Sequence, residues 1–219
     1  YYLNHYYFVS IATALLVFVP ANRAFSADAW LCPGIRRTQV SRWCILIFKL
    51  QLGIVYFYAG LWKINYDWLI QALPLKIWIP ANDQLPIIGA LMKWDWTPYL
   101  FSWFGMLYDV SIVFWLSWHR TRLAAYATVI FFHVVTGLMF QIGVFPLVMI
   151  GATLVFFSEE WHTRLWNWIW ALKRYSPFKV KNRPPTVISS ISPTKPIIFA
   201  ALALHFAFQI LFPWRYLLY

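Results

Sequence analysis

A lysine ends one of the most apolar runs of the sequence. From Val55 to Trp62 the polarity comes mainly from tyrosine hydroxyls, and Lys63 follows directly. The simplest interpretation is an anchor, because a lysine at a membrane-helix end often extends its amine to the headgroups. Its spacing favours a second interpretation, since Lys49, Tyr56 and Lys63 recur at seven-residue steps and share one helix face. A lysine that loses its hydration there favours the neutral amine, which can act as a base.

Two glycines adjoin this polar face. Gly53 and Gly60 alternate with its polar positions along the same stretch. Small residues let neighbouring helices approach closely, so a polar face beside them is expected to face other helices and not lipid. The sequence therefore predicts that Lys63 points into a helical bundle.

Two other apolar stretches contain single ionisable side chains. Asp109 lies midway along one of them, where an ionised carboxylate needs a partner. Its simplest partner is Lys49 or a nearby hydroxyl. His133 lies in the next stretch, where Gly137 and Gln141 continue its face at four-residue steps. It is either satisfied by a backbone carbonyl or part of a reaction site.

Other chemistries fit less well. The five histidines form no dense His box, and Cys32 and Cys44 are too few for a thiolate metal site, so no metal is predicted. "EEWHTR" matches the EExxxR of intramembrane CAAX-type proteases, but the accompanying FxxxH motif is missing. A retinal-type Schiff base on Lys49 would need a seventh helix.

The composition indicates a membrane protein. Hydrophobic residues make up 62% of the chain and charged residues 11%, against about 25% charged residues in an average soluble domain. Lys and Arg outnumber Asp and Glu by 18 to 7. Because these basic residues lie between apolar runs, the expected partners are the lipid bilayer and its anionic headgroups, and nucleic acid is not expected.

An all-α, polytopic transmembrane bundle in a single domain, 1–219, is therefore predicted. A bilayer core of about 30 Å needs about 20 apolar residues per helix. Interfacial helices are expected in the loop 63–98 and in 158–174, which is amphipathic. The chain starts with Tyr1, so we expect a piece of a longer product. About six stretches qualify as spans or nearly so: 4–20, 43–62, 99–118, 123–140, 142–157 and 196–212.

The distribution of basic residues predicts an orientation. Most Lys and Arg side chains fall in the first, third and fifth loops, which are therefore expected to be cytoplasmic. The loop that contains Lys63 is then extracytoplasmic. His5, which follows Asn4 at the start of the first stretch, is expected at the same membrane depth as Lys63. By itself His5 indicates a cap or an interface residue.

Four segments resemble the membrane domain of the vitamin K-dependent gamma-glutamyl carboxylases and their bacterial relatives, the HTTM group. The similarity runs from Asn4 to about Trp161, with a looser continuation to Tyr219. The segments are "LNHYYFVSIATALLVFVPANRAFSADAW", "QLGIVYFYAGLWKINYDWL", "FGMLYDVSIVFWL" and "FFHVVTGLMFQIGVFPLVMI".

The resemblance implies catalytic roles for three residues. Lys63 matches the lysine of the family's "VYFxAGxxK" block, the base that deprotonates vitamin K hydroquinone. His5 matches the histidine of the "NH" block, and His133 matches the histidine linked to oxygenation. Asp109 and Lys49 are assigned structural polar roles. The residues assigned to a quinone pocket are Asn4, Tyr56, Gly60 and Gln141.

The implied reaction couples two steps. The deprotonated hydroquinone reacts with O2, a strong alkoxide base forms, a glutamate γ-proton is removed, and the carbanion takes up CO2 while the quinone leaves as an epoxide. Such a base survives only where water is excluded. The acceptor is expected to be a protein or a small glutamate-like molecule, and the site is expected to face the periplasm or exterior of a bacterial inner membrane.

Compared with the animal enzymes, we expect this piece of the protein to lack two regions. They are the helix that precedes His5 and the extracytoplasmic region that follows the last helix. The alternative hypothesis is a non-catalytic membrane subunit, or a quinone- or lipid-binding scaffold, that works with partners in a larger membrane complex.

Overall fold

The computed structural model describes residues 4–23, 26–36, 40–84, 89–140, 142–172 and 195–213. Within these ranges every regular element is helical, which confirms the all-α prediction. The α-helices are α1 (Asn4–Phe18), α2 (Ala27–Leu31), α3 (Arg42–Trp62), α4 (Tyr66–Leu69), α5 (Leu73–Trp78), α6 (Gly89–Met92), α7 (Thr97–Ser117), α8 (Arg122–Met139), α9 (Phe145–Thr153), α10 (Glu159–Leu172) and α11 (Lys195–Leu211). Short 3₁₀ turns occupy Ala21–Arg23, Pro33–Ile35, Pro80–Asn82 and Leu154–Phe156.

Among the described residues, three helices are long and apolar enough to cross a membrane. They are α3, α7 and α8, and their bounds fall within two residues of the predicted spans. The pair Tyr6–Phe18 and Ala21–Leu31 meets the same criteria only if it is taken as one span with a 65° bend. Phe145–Phe156 and Pro196–Leu211 are shorter apolar helices. The count of six spans stays a prediction.

The chain divides into two compact units, and the first comprises residues 1–8 and 50–156. In this unit α8 packs against both α7 and α9, and the short helices α4, α5 and α6 pack against α7. A buried cluster of Leu75, Ile79, Met92 and Met139 joins this segment to α8. The extracytoplasmic loop of the sequence prediction is therefore a series of short helices that covers one end of α7.

Local sequence explains why these helices are short. Asn65 caps α4, because its side-chain oxygen accepts a hydrogen bond from the Trp68 backbone N–H at 2.8 Å. Pro74 lies in the first turn of α5, where a missing N–H does least harm. Ala72, just before α5, has a positive φ of 47°, so the chain turns sharply between the two helices.

The second unit comprises residues 9–49 and 157–219. Its described core is formed by Ile11, Leu15, Ile47 and Leu202, which join α1, the first part of α3, and α11. In the same unit, Ser158 precedes α10, and its hydroxyl accepts a hydrogen bond from the Trp161 N–H at 3.4 Å.

The amphipathic helix predicted in this part of the chain is confirmed as α10. Glu159 and Glu160 occupy its first turn, as the helix dipole favours. Trp166 and Trp168 are exposed on its surface. Its placement at the membrane interface stays a prediction.

Candidate functional site

The Lys63 amine bonds to the carboxylate of Asp109. Lys63 immediately follows α3, and Asp109 lies near the middle of α7. The amine donates to Oδ2 of Asp109, and the side chains are 20% and 6% exposed, respectively. The predicted partner of Asp109, Lys49 or a nearby hydroxyl, is therefore corrected to Lys63, because the end of α3 lies beside the carboxylate.

Gly60 explains how α3 and α7 come close enough for this contact. A Cβ atom built on Gly60 would lie 2.5 Å from Val110 Cγ2 and 2.7 Å from the Val110 backbone nitrogen. No side chain fits in that space, so the two backbones pass each other directly. The prediction that the glycines face other helices is confirmed for Gly60. Its place in a quinone pocket stays a prediction.

An indole ring covers the amine. The Lys63 Nζ lies 5.5 Å from the ring centroid of Trp68, within the range of a cation–π contact. The Trp68 indole N–H donates to the Ser102 carbonyl at 3.1 Å, and the Ser102 hydroxyl donates back to the Trp68 carbonyl. This reciprocal pair of hydrogen bonds holds α4 against α7 and holds the indole over Lys63.

His133 belongs to a second, fully buried polar group. The Tyr56 hydroxyl oxygen lies 3.0 Å from His133 Nε2, and the Tyr108 hydroxyl donates to the Tyr56 hydroxyl at 3.4 Å. The direction of the bond between Tyr56 and Nε2 depends on the tautomer of the ring. The partner of His133 is thus a tyrosine and not a backbone carbonyl.

Consecutive residues of α7 connect the two polar groups. Tyr108 bonds to Tyr56, while Asp109 bonds to Lys63. Lys63 follows α3 directly, seven residues after Tyr56, so its side chain must extend back towards the N-terminus of α3 to reach the residue next to Tyr108. The predicted common face of Tyr56 and Lys63 is confirmed.

Aromatic rings surround this polar region. The Tyr108 and Phe132 rings are stacked, with centroids 4.1 Å apart and an interplanar angle of 19°. Phe104 lies on Tyr108 with an angle of 25°. In the described part of the chain no group of three or more His, Cys, Asp or Glu side chains could hold a metal ion.

The structure does not describe the side chains of several predicted site residues. For Asn4 and His5 the structure describes only the backbone, as the start of α1. Gln141 lies outside the described residues. The predicted proximity of His5 to Lys63 therefore stays a prediction.

Sequence reasoning missed Trp68, Ser102 and Tyr108. For Trp68 the signal was present, because Asn65 three residues earlier is a typical helix cap that places the next turn beside Lys63. Tyr108 is adjacent to Asp109, but a tyrosine in an apolar helix is typical of packing. No sequence feature distinguishes Ser102 from other helix serines.

Comparison with known proteins gives a family. The model of the HTTM domain matches residues 1–161, which is most of the 219-residue chain. No solved structure matches the chain. The match covers α1 to α9, including Lys63, Asp109 and His133. Together with the long apolar helices it indicates an integral membrane protein. The chain belongs to the HTTM domain family, to which its four sequence segments had pointed.

Proposed function

We propose that this protein is a membrane-embedded enzyme of the vitamin K-dependent gamma-carboxylase type. It oxygenates a reduced quinone to an epoxide and couples that step to the carboxylation of a glutamate-like acceptor. The family membership supports the reaction class. The observation that carries the proposal is the Lys63 amine, which is partly exposed and bonded to the buried carboxylate of Asp109.

The residues around Lys63 fit a hydroquinone. The Lys63 side chain is 20% exposed, whereas the Asp109 side chain is 6% exposed, so an approaching hydroxyl group meets the lysine first. The indole of Trp68 offers a flat face beside it. When bound, a reduced quinone would supply the electrons that reduce O2 and the strong base that removes the acceptor proton.

Lys63 acts as the general base in this proposal. Its unprotonated amine accepts the proton of a ring hydroxyl, and the resulting ammonium lies beside the Asp109 carboxylate. Trp68 and the short helices above α7 restrict the access of water, which protects a reactive base from quenching. His133 and Tyr56 act from the buried side of the same bundle, where their hydrogen bond fixes the ring.

The distribution of basic residues supports an extracytoplasmic site in this proposal. The acceptor, a protein or a small glutamate-like molecule, would then approach from that side. Anionic lipids would contact the opposite, basic face.

Purified protein in lipid nanodiscs, supplied with reduced vitamin K and O2, tests the proposal through epoxide formation. Wild type is expected to form epoxide, and Lys63→Ala to be slower by about 100-fold or more, as for loss of a general base. Lys93→Ala is the matched control, because Lys93 is 65% exposed and pairs with Asp83 at the surface. It should retain wild-type activity.

Equal epoxide formation by wild type and Lys63→Ala would remove Lys63 from the mechanism. No epoxide from wild type, with reduced quinone still bound, would favour the scaffold hypothesis. Incorporation of labelled CO2 into a glutamate-containing peptide tests the coupled step. Epoxide without incorporated label would restrict the activity to quinone oxygenation.

A further inference from the structure

Asp109 is an unusual residue for the middle of a membrane-spanning helix. The residue is 4% exposed, and α7 is one of the three helices long and apolar enough to cross a membrane. A carboxylate at such a depth is costly even when it is paired. Replacing a buried ion pair by apolar side chains often leaves stability unchanged or improves it. A contribution to the stability of the fold therefore does not explain why a carboxylate lies at this position.

The contact also constrains Lys63. A lysine directly after a membrane helix would ordinarily extend its flexible stem towards the interface. Here the side chain bends back to the level of Asp109, where Gly60 lets the backbones of α3 and α7 touch. Trp68 closes the other side of the amine. Asp109 and Trp68 thus hold the long, flexible side chain of Lys63 in one position.

We propose that Asp109 is the positioning residue of the Lys63 amine: its carboxylate fixes the amine under Trp68 and compensates the positive charge that the amine acquires when it accepts a proton. This inference rests on the proposed function for its catalytic consequence. An anion fixed beside a developing cation in a water-poor site stabilises that cation without reorganisation. The carboxylate acts through Lys63 and does not need to touch the substrate.

The first test measures the amine itself and needs no activity. Brief reductive methylation with isotope-coded formaldehyde and a borohydride, in nanodiscs, reports by mass spectrometry how fast each lysine reacts. In wild type, Lys63 is expected to react more slowly than Lys93 in the same molecule, because its amine is bonded to Asp109 and lies under Trp68. In Asp109→Asn, Lys63 is expected to react about tenfold faster or more, since the side-chain shape is kept and the charge is lost.

Asp83→Asn is the matched control. Asp83 forms the other described ion pair of this unit, with Lys93 at 3.6 Å. That variant is expected to leave the Lys63 rate and the epoxidation rate unchanged. Equal Lys63 rates in wild type and Asp109→Asn would overturn the inference. In wild type alone, a Lys63 rate equal to that of Lys93 would overturn it as well, whether or not the variant folds.

The second test measures catalysis. Asp109→Asn is expected to lower kcat for epoxidation by about 100-fold with KM for the quinone little changed, as when an interaction specific to the transition state is lost. Asp109→Glu, which restores the charge, is expected to recover part of kcat. A raised KM with unchanged kcat would overturn the positioning role. If wild type makes no epoxide while labelling of Lys63 still responds to Asp109→Asn, the proposed function fails and the control of the amine by Asp109 stands.

Discussion

The Tyr56 hydroxyl oxygen and His133 Nε2 lie 3.0 Å apart, and this hydrogen bond joins α3 to α8 inside the first unit. The two residues are 2% and 4% exposed. Neither atom can exchange its partner for water without opening the bundle. The bond therefore gives both rings one fixed orientation relative to each other.

Replacing Tyr56 with Phe is expected to lower the free energy of unfolding by about 1–3 kcal/mol, because Nε2 of His133 would stay buried without its hydrogen-bond partner. Thermal unfolding of purified protein in detergent measures the change. The comparison variant is Tyr66→Phe, since Tyr66 is exposed and its hydroxyl should matter by less than about 0.5 kcal/mol. Equal melting temperatures for the two variants would contradict the prediction.

Gly60→Ala is expected to separate α3 from α7. The added methyl group would lie 2.5 Å from a Val110 side-chain atom and 2.7 Å from the Val110 nitrogen, and backbone cannot yield as a flexible side chain does. Overpacking of this kind costs about 1–3 kcal/mol. The same change should speed the methylation of Lys63, because Asp109 moves away with α7.

Gly105→Ala supplies the matched control for that substitution. Gly105 lies in α7, and a Cβ atom there would meet nothing within 4 Å. Alanine in a helix is favoured over glycine by about 0.5–1 kcal/mol, so this variant should be as stable as wild type or more so. Gly60→Ala melting at or above the temperature of Gly105→Ala is the result that would contradict the close contact.

Ser102→Ala is expected to loosen α4 from α7. The substitution removes the hydroxyl that donates to the Trp68 carbonyl, while the bond from the Trp68 indole to the Ser102 carbonyl remains. Amide hydrogen exchange in Tyr66–Leu69 should then become faster, since local opening costs less. Ser111→Ala is the control, because the Ser111 hydroxyl bonds within its own helix, to the Leu107 carbonyl at 2.6 Å. Unchanged exchange in Ser102→Ala would show that the indole bond alone holds α4.

Hydropathy predicted the long helices well, and for a clear physical reason. Backbone polar groups have no water to bind within a bilayer, so a long apolar run must be helical. The bounds of α3, α7 and α8 follow from that constraint within two residues. The bounds of α4, α5 and α6 depend instead on single caps, prolines and contacts with α7, which hydropathy does not report.

In the site, too, some features could be predicted from the sequence and others could not. Helical spacing correctly placed Tyr56 and Lys63 on one face and marked Gly60 as a point of close approach. Spacing within α3 does not show which residue of another helix lies opposite. Asp109 was therefore predicted to pair with Lys49 or a hydroxyl, and its partner is Lys63. The bond between Tyr108 and Tyr56 depends on the rotation of α7 about its own axis, which the sequence of α7 leaves open because the helix is apolar on all sides.

Both hydrogen bonds between Trp68 and Ser102 end on main-chain carbonyl oxygens. The Trp68 indole over Lys63 is thus held in place by two side-chain donors and by two main-chain carbonyl acceptors. Ile70, Leu73 and Ile77, which are exposed on the neighbouring segment, take no part in that anchorage. Substitutions on the outer surface of this segment can therefore change its contacts with lipids or docking molecules without altering the environment of the Lys63 amine.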